Sequence, residues 1–311
     1  MMRPIGSSGI EVAPIALGGN VFDWTADEAA SFAVLDRFVE AGGTMIDTAD
    51  VYSAWVPGHK GGESEALIGR WLKRDPSKRD KIVIATKVGY TAGLAPNGIA
   101  QSCEASLQRL GVEQIDLYYQ HKDDPETPLV DSLGAFDALR RDGKIRAIGL
   151  SNFEAARVEE AALVSSANGF DQPAALQNWY NMVEREKFEG PLRDVALGRG
   201  LSFFPYYSLA NGFLTGKYRS KDDLSKSVRG ARSAEYLDSE RGRKVLGALE
   251  EVAADTNAAM ATVALAWLKD QPGVTAPIAS ATSGRQAEEL VAALTLELTA
   301  AQIARLSDAS S

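Results

Sequence analysis

Eight short runs rich in β-branched and aromatic residues recur along this chain, and helically patterned segments lie between most of them. The runs cover 15–18, 44–47, 82–87, 115–121, 145–151, 175–179, 201–206 and 274–279. After the first, Thr25 and Glu28 have capping-box spacing, Phe32, Leu35, Phe38 and Val39 share one helical face, and Gly42-Gly43 ends the pattern. Leu67, Ile68, Trp71 and Leu72 form a second stripe; Ile99, Cys103, Leu107 and Leu110, closed by Gly111, form a third. Helical patterns also cover 129–141, 154–166 and 188–197. Strands that alternate with helices in this way predict a (β/α)8 TIM barrel, a parallel sheet closed on itself, rather than an open doubly wound sheet.

Both ends of the chain extend that plan. Residues 3–8 and 11–13 flank Ser8-Gly9 and predict a β-hairpin that plugs the lower end of the barrel. Helical patterns at 239–256 and 259–269 precede the eighth strand, and two more, at 284–294 and 299–307, follow it as extra C-terminal helices. Dividing 311 residues by the usual domain size allows two domains, but no linker, low-complexity tract or repeat divides the chain. Residues 1–311 are therefore read as one barrel domain.

Charge and cysteine content narrow the partners. Lys and Arg number 33 against 42 Asp and Glu, a net charge of −9, which argues against nucleic acid as a partner. One cysteine, Cys103, excludes an internal disulfide, and with two histidines, His59 and His121, no zinc cluster is expected. The start of the chain lacks a signal-peptide pattern, and the longest near-apolar run, 258–268, is too short to cross a bilayer. These features predict a cytoplasmic protein with no membrane or metal partner.

A TIM barrel carries its chemistry at the C-terminal ends of its strands. Three of the predicted strands end in reactive side chains: Asp47, Lys87 and His121. Tyr52 follows Asp47 by five residues. A phenol with an ordinary pKa of roughly 10 is a weak acid at neutrality; a neighbouring ammonium lowers that value, and a carboxylate fixes the ammonium in place. Lys87 and Asp47 suit those two roles, and His121 suits the orientation of a carbonyl oxygen. Taken singly, each has an ordinary alternative as a helix cap, an ion-pair partner or a structural histidine. His59 lies in the loop VPGHKGG and reads as solvated, and Cys103 sits on an apolar stripe and reads as core.

Taken in order, the segments IALGGNVF, DTADVY, ATK, LYYQH, IGLSNF, QNWYN and PYYSLANGFLTGKY resemble those of the aldo-keto reductase family over nearly the whole chain. The resemblance implies an NAD(P)H-dependent oxidoreductase in which Tyr52 is the general acid/base, Asp47 and Lys87 tune it, and His121 positions a carbonyl. It also implies a nicotinamide cofactor extended across the barrel mouth, which accords with the lack of a GxGxxG fingerprint. Position by position, it assigns cofactor contacts to Gly18, Gly19, Asn20 and Asp47. Ser151, Asn152 and Gln177 are assigned to the nicotinamide carboxamide, and Tyr206 to the ring. Ser208, Leu209, Asn211, Gly212 and Lys217 are assigned to the pyrophosphate. In PIASATSGRQAEEL, Arg285 matches a contact to the 2′-phosphate and Glu288 lies near the adenine.

Arg285 favours NADP(H), since a planar guanidinium can bind a phosphate bidentately. Ala279 stands where some members carry Lys, and Glu289 stands where Asn is common, so NAD(H) stays open. The GK of PYYSLANGFLTGKY lacks P-loop spacing. Phe22, Trp24, Trp55, Trp179, Tyr180 and Tyr207 are candidate walls of an apolar pocket for a small aldehyde, ketone or alcohol. Two other readings stand beside the reductase: a Schiff-base, aldolase-type enzyme using Lys87, and a cofactor-binding regulatory subunit.

Overall fold

The computed structural model describes residues 1–311. Eight parallel strands form the central sheet: β3 (Ala16–Gly18), β4 (Met45–Asp47), β5 (Val83–Val88), β6 (Ile115–Gln120), β7 (Ile145–Ser151), β8 (Ala175–Gln177), β9 (Ser202–Phe203) and β10 (Ile278–Ala279). They pair in chain order from β3 to β9, and β10 pairs with β3. Two further bonds join the ends: Ile278 N–H donates to the Pro205 carbonyl at 2.9 Å, and Thr275 N–H to the Phe203 carbonyl at 2.8 Å. The curled sheet is a (β/α)8 barrel, as the alternation predicts.

β1 (Arg3–Pro4) and β2 (Glu11–Val12) form an antiparallel hairpin ahead of it. Ile5, Ile10 and Val12 join Ala16, Met45, Val83, Ala85, Leu117, Tyr119 and Phe204 in one buried cluster, so the hairpin plugs the barrel interior. Each of those three side chains, fully removed from water, contributes roughly 1.5–3 kcal/mol.

The helices form an outer layer: α1 (Glu28–Glu40), α2 (Glu63–Arg74), α3 (Pro96–Leu110), α4 (Leu129–Arg141), α5 (Ala155–Asn168), α6 (Pro191–Gly198), α7 (Ala234–Asp238), α8 (Glu240–Thr256), α9 (Met260–Lys269), α10 (Gly284–Ala292) and α11 (Ala300–Ala309). Gly111 ends α3 in the left-handed conformation at φ 66°, which glycine reaches without a Cβ penalty.

Two local expectations are corrected, and a stretch without a stated expectation takes on structure. Asp27, rather than Thr25, caps α1, its carboxylate accepting from Ala30 N–H, because the Thr25 N–H is taken up in a turn by the Val21 carbonyl. The helix expected from 188 starts at Pro191, whose missing N–H suits the first turn; Phe188 instead stacks on Phe203 at 3.6 Å. Between β9 and α8, three 3₁₀ segments and α7 occupy 210–238, where no helical period was visible.

Candidate active site

At the C-terminal mouth of the barrel, β4 delivers Asp47 and β5 delivers Lys87, both side chains almost wholly buried. Lys87 Nζ donates to three acceptors: Asp47 Oδ2 at 2.7 Å, the Thr48 carbonyl at 2.8 Å and Tyr52 Oη at 3.0 Å. Gln177, at the end of β8, donates from Nε2 to the other Asp47 oxygen at 2.9 Å. The carboxylate is thus fixed from both sides. His121 follows β6, with its ring 6.1 Å from that of Tyr52. The four residues expected to act together are therefore brought together.

Their electrostatics sharpen the sequence expectation. Burial pushes the Tyr52 phenol above its ordinary value; Lys87 pulls it down and Asp47 pushes it up, and the net result is a raised pKa. Lys87 alone does not make Tyr52 a stronger acid. Burial opposes the charge on Lys87, but Asp47 and Tyr52 outweigh it and hold the ammonium above its ordinary value. Burial, with Lys87 and Lys122 nearby, holds His121 well below 6.5, so its ring is neutral at neutral pH, and its Nδ1 has no partner.

The flanking loops hold the remaining candidates. Asn152 adopts φ 58°, accepts from the Tyr206 hydroxyl at 2.5 Å and donates to the His121 carbonyl at 2.9 Å and Ser151 Oγ at 3.1 Å. Asn20 accepts from Ser280 at 2.6 Å, and Gly19 N–H donates to the Asp47 carbonyl at 2.7 Å. A side chain at Gly18 would meet Ser280, and one at Gly19 would meet Ser64, so both glycines allow close packing at the mouth.

After β9 the backbone curls through left-handed angles at Tyr207, Ala210, Asn211 and Gly212. The N–H groups of Ser208, Leu209 and Asn211 find no acceptor in the protein, and the buried Asn211 Oδ1 finds no donor. Such a concave run of free N–H groups suits an anion. Lys217 lies beside Gly212, with no carboxylate partner. Farther out, Arg285 is exposed and 3.6 Å from Glu289, while Glu288 is held by Arg37 of α1 through contacts of 2.5 and 2.9 Å.

Of the expected pocket walls, Phe22 and Tyr180 belong to the core instead; Tyr180 packs against Phe188, Phe203 and Trp267. Trp55 stands 6.1 Å from Tyr52 and 5.3 Å from Trp24, and Trp179 lies 4.3 Å from Tyr207.

Sequence reasoning passed over two neighbours. Tyr90, two residues past β5, lies 4.8 Å from the His121 ring, and its place after a strand end was the available signal. Arg229 had none. Its guanidinium lies 5.1 Å over the Trp24 ring and makes no hydrogen bond. It is shielded without a carboxylate partner, whereas every other arginine that is not exposed has one. Burial pulls its pKa down, and Tyr207 and Tyr52 are among the groups that feel its charge.

A parallel barrel with a lysine, a carboxylate, a phenol and an imidazole gathered at its C-terminal mouth defines an enzyme of the TIM-barrel class. Comparison with known proteins is specific. The model of the aldo/keto reductase family matches residues 14–311, and the chain belongs to that family. "Aldo-keto reductase str7" of Strobilurus tenacellus is 32% identical over 312 residues, covering 98% of this chain and 88% of its own. "Aldo-keto reductase yakc [NADP(+)]" of Schizosaccharomyces pombe is 31% identical over 297 residues, covering 91% and 83%. "Aflatoxin B1 aldehyde reductase member 4" of Homo sapiens is 35% identical over 206 residues, covering 66% and 60%. The protein is an oxidoreductase of this family, whose members generally use a nicotinamide cofactor. No helix is long and apolar enough to cross a membrane.

Proposed function

We propose that this enzyme reduces an aldehyde or ketone to the alcohol, reversibly, with NADPH as reductant and Tyr52 as the proton donor. The observation that carries the reading is the contact chain from Gln177 through Asp47 and Lys87 to Tyr52 at the mouth. A phenol that keeps its proton at neutral pH, beside a fixed ammonium, suits the protonation of a carbonyl oxygen as negative charge develops there. The neutral His121 ring, opposite, would orient that oxygen by a hydrogen bond. Donation by Tyr52 leaves a phenolate that Lys87 stabilises at once.

The same contacts oppose the Schiff-base reading. An amine nucleophile must lose its proton, and Lys87 is held charged by Asp47 and Tyr52. A regulatory subunit would have no use for the assembled Asp47, Tyr52, Lys87 and His121 set.

The residues also fit a dinucleotide. The free N–H groups of 208, 209 and 211, with Lys217 and Arg229, would hold the diphosphate. Ser151, Asn152 and Gln177 would meet the carboxamide, and the ring of Tyr206 would meet the nicotinamide face. Arg285, exposed and with only the 3.6 Å contact to Glu289 to give up, would take a 2′-phosphate, whereas Glu288 would have to leave Arg37 to reach an adenine. The bound cofactor would supply hydride.

The test is NADPH consumption by the purified protein with an aldehyde, alongside cofactor titration by fluorescence quenching. Tyr52→Phe should abolish turnover and leave cofactor binding intact; loss of both together would refute Tyr52 as the donor. A preference for NADPH over NADH should collapse in Arg285→Ala, and equal affinities in the parent would refute the 2′-phosphate assignment.

A further inference from the structure

Behind the proposed proton donor lies a group of charges that the reaction as written does not use. Asp50 is in the loop that joins Asp47 to Tyr52, and its N–H donates to the Lys87 carbonyl at 3.1 Å. Its Oδ1 turns into the protein and meets no donor. Glu65 of α2 is wholly buried beside it and accepts from Thr86 Oγ1 at 2.6 Å and Arg109 Nε at 2.7 Å. Thr86 of β5 is thus held through its hydroxyl by the Glu65 carboxylate, and the backbone carbonyl of the adjacent Lys87 by the Asp50 N–H. Lys87 Nζ, on the inner side of the strand, faces Tyr52.

We propose that Asp50 is an ionisable positioning residue, which exchanges a proton with solvent and thereby sets how strongly Lys87 acts on the Tyr52 phenol. The inference rests on the reductase reading for its effect on turnover, although not for its effect on Tyr52 itself.

Groups from four neighbouring elements bear on the charge of Asp50. Glu65 comes from α2, Arg109 from α3, Lys87 from β5, and the partnerless Tyr118 hydroxyl from β6; the Val51 N–H lies on its own loop. The wholly buried Glu65 carboxyl and the half-buried Asp50 carboxyl share one nearby guanidinium, so with both ionised the group carries an excess negative charge that water reaches poorly. Glu65 already accepts two hydrogen bonds, including one from Arg109, so its charge is compensated. Asp50 has one orphaned oxygen and is the member that takes the proton. Burial first, and Glu65 second, push it up to about 7, with Arg109, Val51 N–H and Lys87 working against them.

The direction of the effect follows from the sign of the charge. Protonated Asp50 leaves the ammonium of Lys87 undiminished at Tyr52. Ionised Asp50 offsets it, raises the phenol pKa and makes Tyr52 a weaker acid, so carbonyl reduction should slow as pH rises through neutrality.

The test compares the parent, Asp50→Asn and Asp50→Glu, with circular dichroism as the check on folding. Infrared difference spectra should show a protonated-carboxyl band that fades as pH rises through about 7 in the parent and is absent in Asp50→Asn. Phenolate absorbance, taken as the difference from the same protein carrying Tyr52→Phe, should move to lower pH by roughly half a unit in Asp50→Asn. In turnover, kcat/KM of the parent should fall about threefold across neutrality; Asp50→Asn should be flat there, and Asp50→Glu should restore the inflection. A missing band overturns the proposal, as does an unmoved phenolate or an inflection that survives in Asp50→Asn. Band and phenolate shift without turnover in any variant would instead overturn the reductase reading and leave the link between Asp50 and Tyr52 standing.

Discussion

Removing the charge of Lys87 should separate the cost of the site to stability from its use in catalysis. Lys87 Nζ lies 2.7 Å from Asp47 Oδ2, and both side chains are almost excluded from water. At an effective dielectric constant of about 20, two unit charges at that separation attract by about 6 kcal/mol. Desolvation of each ion costs several kcal/mol, so the intact pair is close to neutral for stability, and a single deletion strands the other charge. Lys87→Met should therefore destabilise the fold by roughly 3–5 kcal/mol. That is a large part of the roughly 5–15 kcal/mol that holds a typical domain together. Asp47→Asn added to Lys87→Met removes the stranded charge while its amide oxygen still accepts from Gln177, and it should recover most of the loss. Turnover should behave otherwise, falling by roughly two to four orders of magnitude in the single variant and staying low in the double. Urea unfolding followed by circular dichroism reads the first effect, and NADPH consumption reads the second. Equal stability of the single and double variants would refute the charge argument, and recovered turnover in the double would refute the role of Lys87.

Two further outcomes follow from the packing and titration of the same site. A Cβ at Gly149 of β7 would lie 2.3 Å from the Tyr119 ring on β6, so Gly149→Ala should cost roughly 1–3 kcal/mol by overpacking. Adding Tyr119→Leu should reverse most of that loss in urea unfolding, and simple additivity would count against ring contact as the cause. His121 is held well below 6.5, so an unfolded chain binds more protons than the native one under mildly acidic conditions, and its contribution to stability is lost as pH falls below that value. His121→Gln should flatten the fall in urea midpoint between roughly pH 7 and pH 5, and an unchanged slope would refute the assignment.

The barrel was legible because its signals are local. Each strand is a short buried run, each helix carries its own apolar stripe, and Gly111 marks the end of α3. What escaped was non-local. Between β9 and α8 the chain turns through 3₁₀ segments that rest on other elements: the loop at Gly216 abuts Met260, and Tyr236 reaches Glu184 at 2.8 Å. Neither contact leaves a period in the sequence. Tyr180, an apparent mouth aromatic one residue past Trp179, points instead among Phe188, Phe203 and Trp267, because successive side chains near a strand end face opposite sides.

The site divides along the same line. Asp47, Lys87 and His121 were visible as reactive side chains at strand ends, and the DTADVY segment brought in Tyr52. Asp50 lies in that segment too, yet nothing near it in sequence reveals its character, since Glu65 and Arg109 reach it from two helices. Arg229 is the sharper case, because composition pointed away from it. A net charge of −9 suggests ample carboxylates, and the other shielded arginines have theirs. The acidic excess lies elsewhere, and at the mouth Arg229 rests on Trp24 with its donors open. A shielded cation without a counter-charge weakens a fold, so Arg229, set over Trp24 and near Tyr207, is a group that the proposed cofactor diphosphate would pair with.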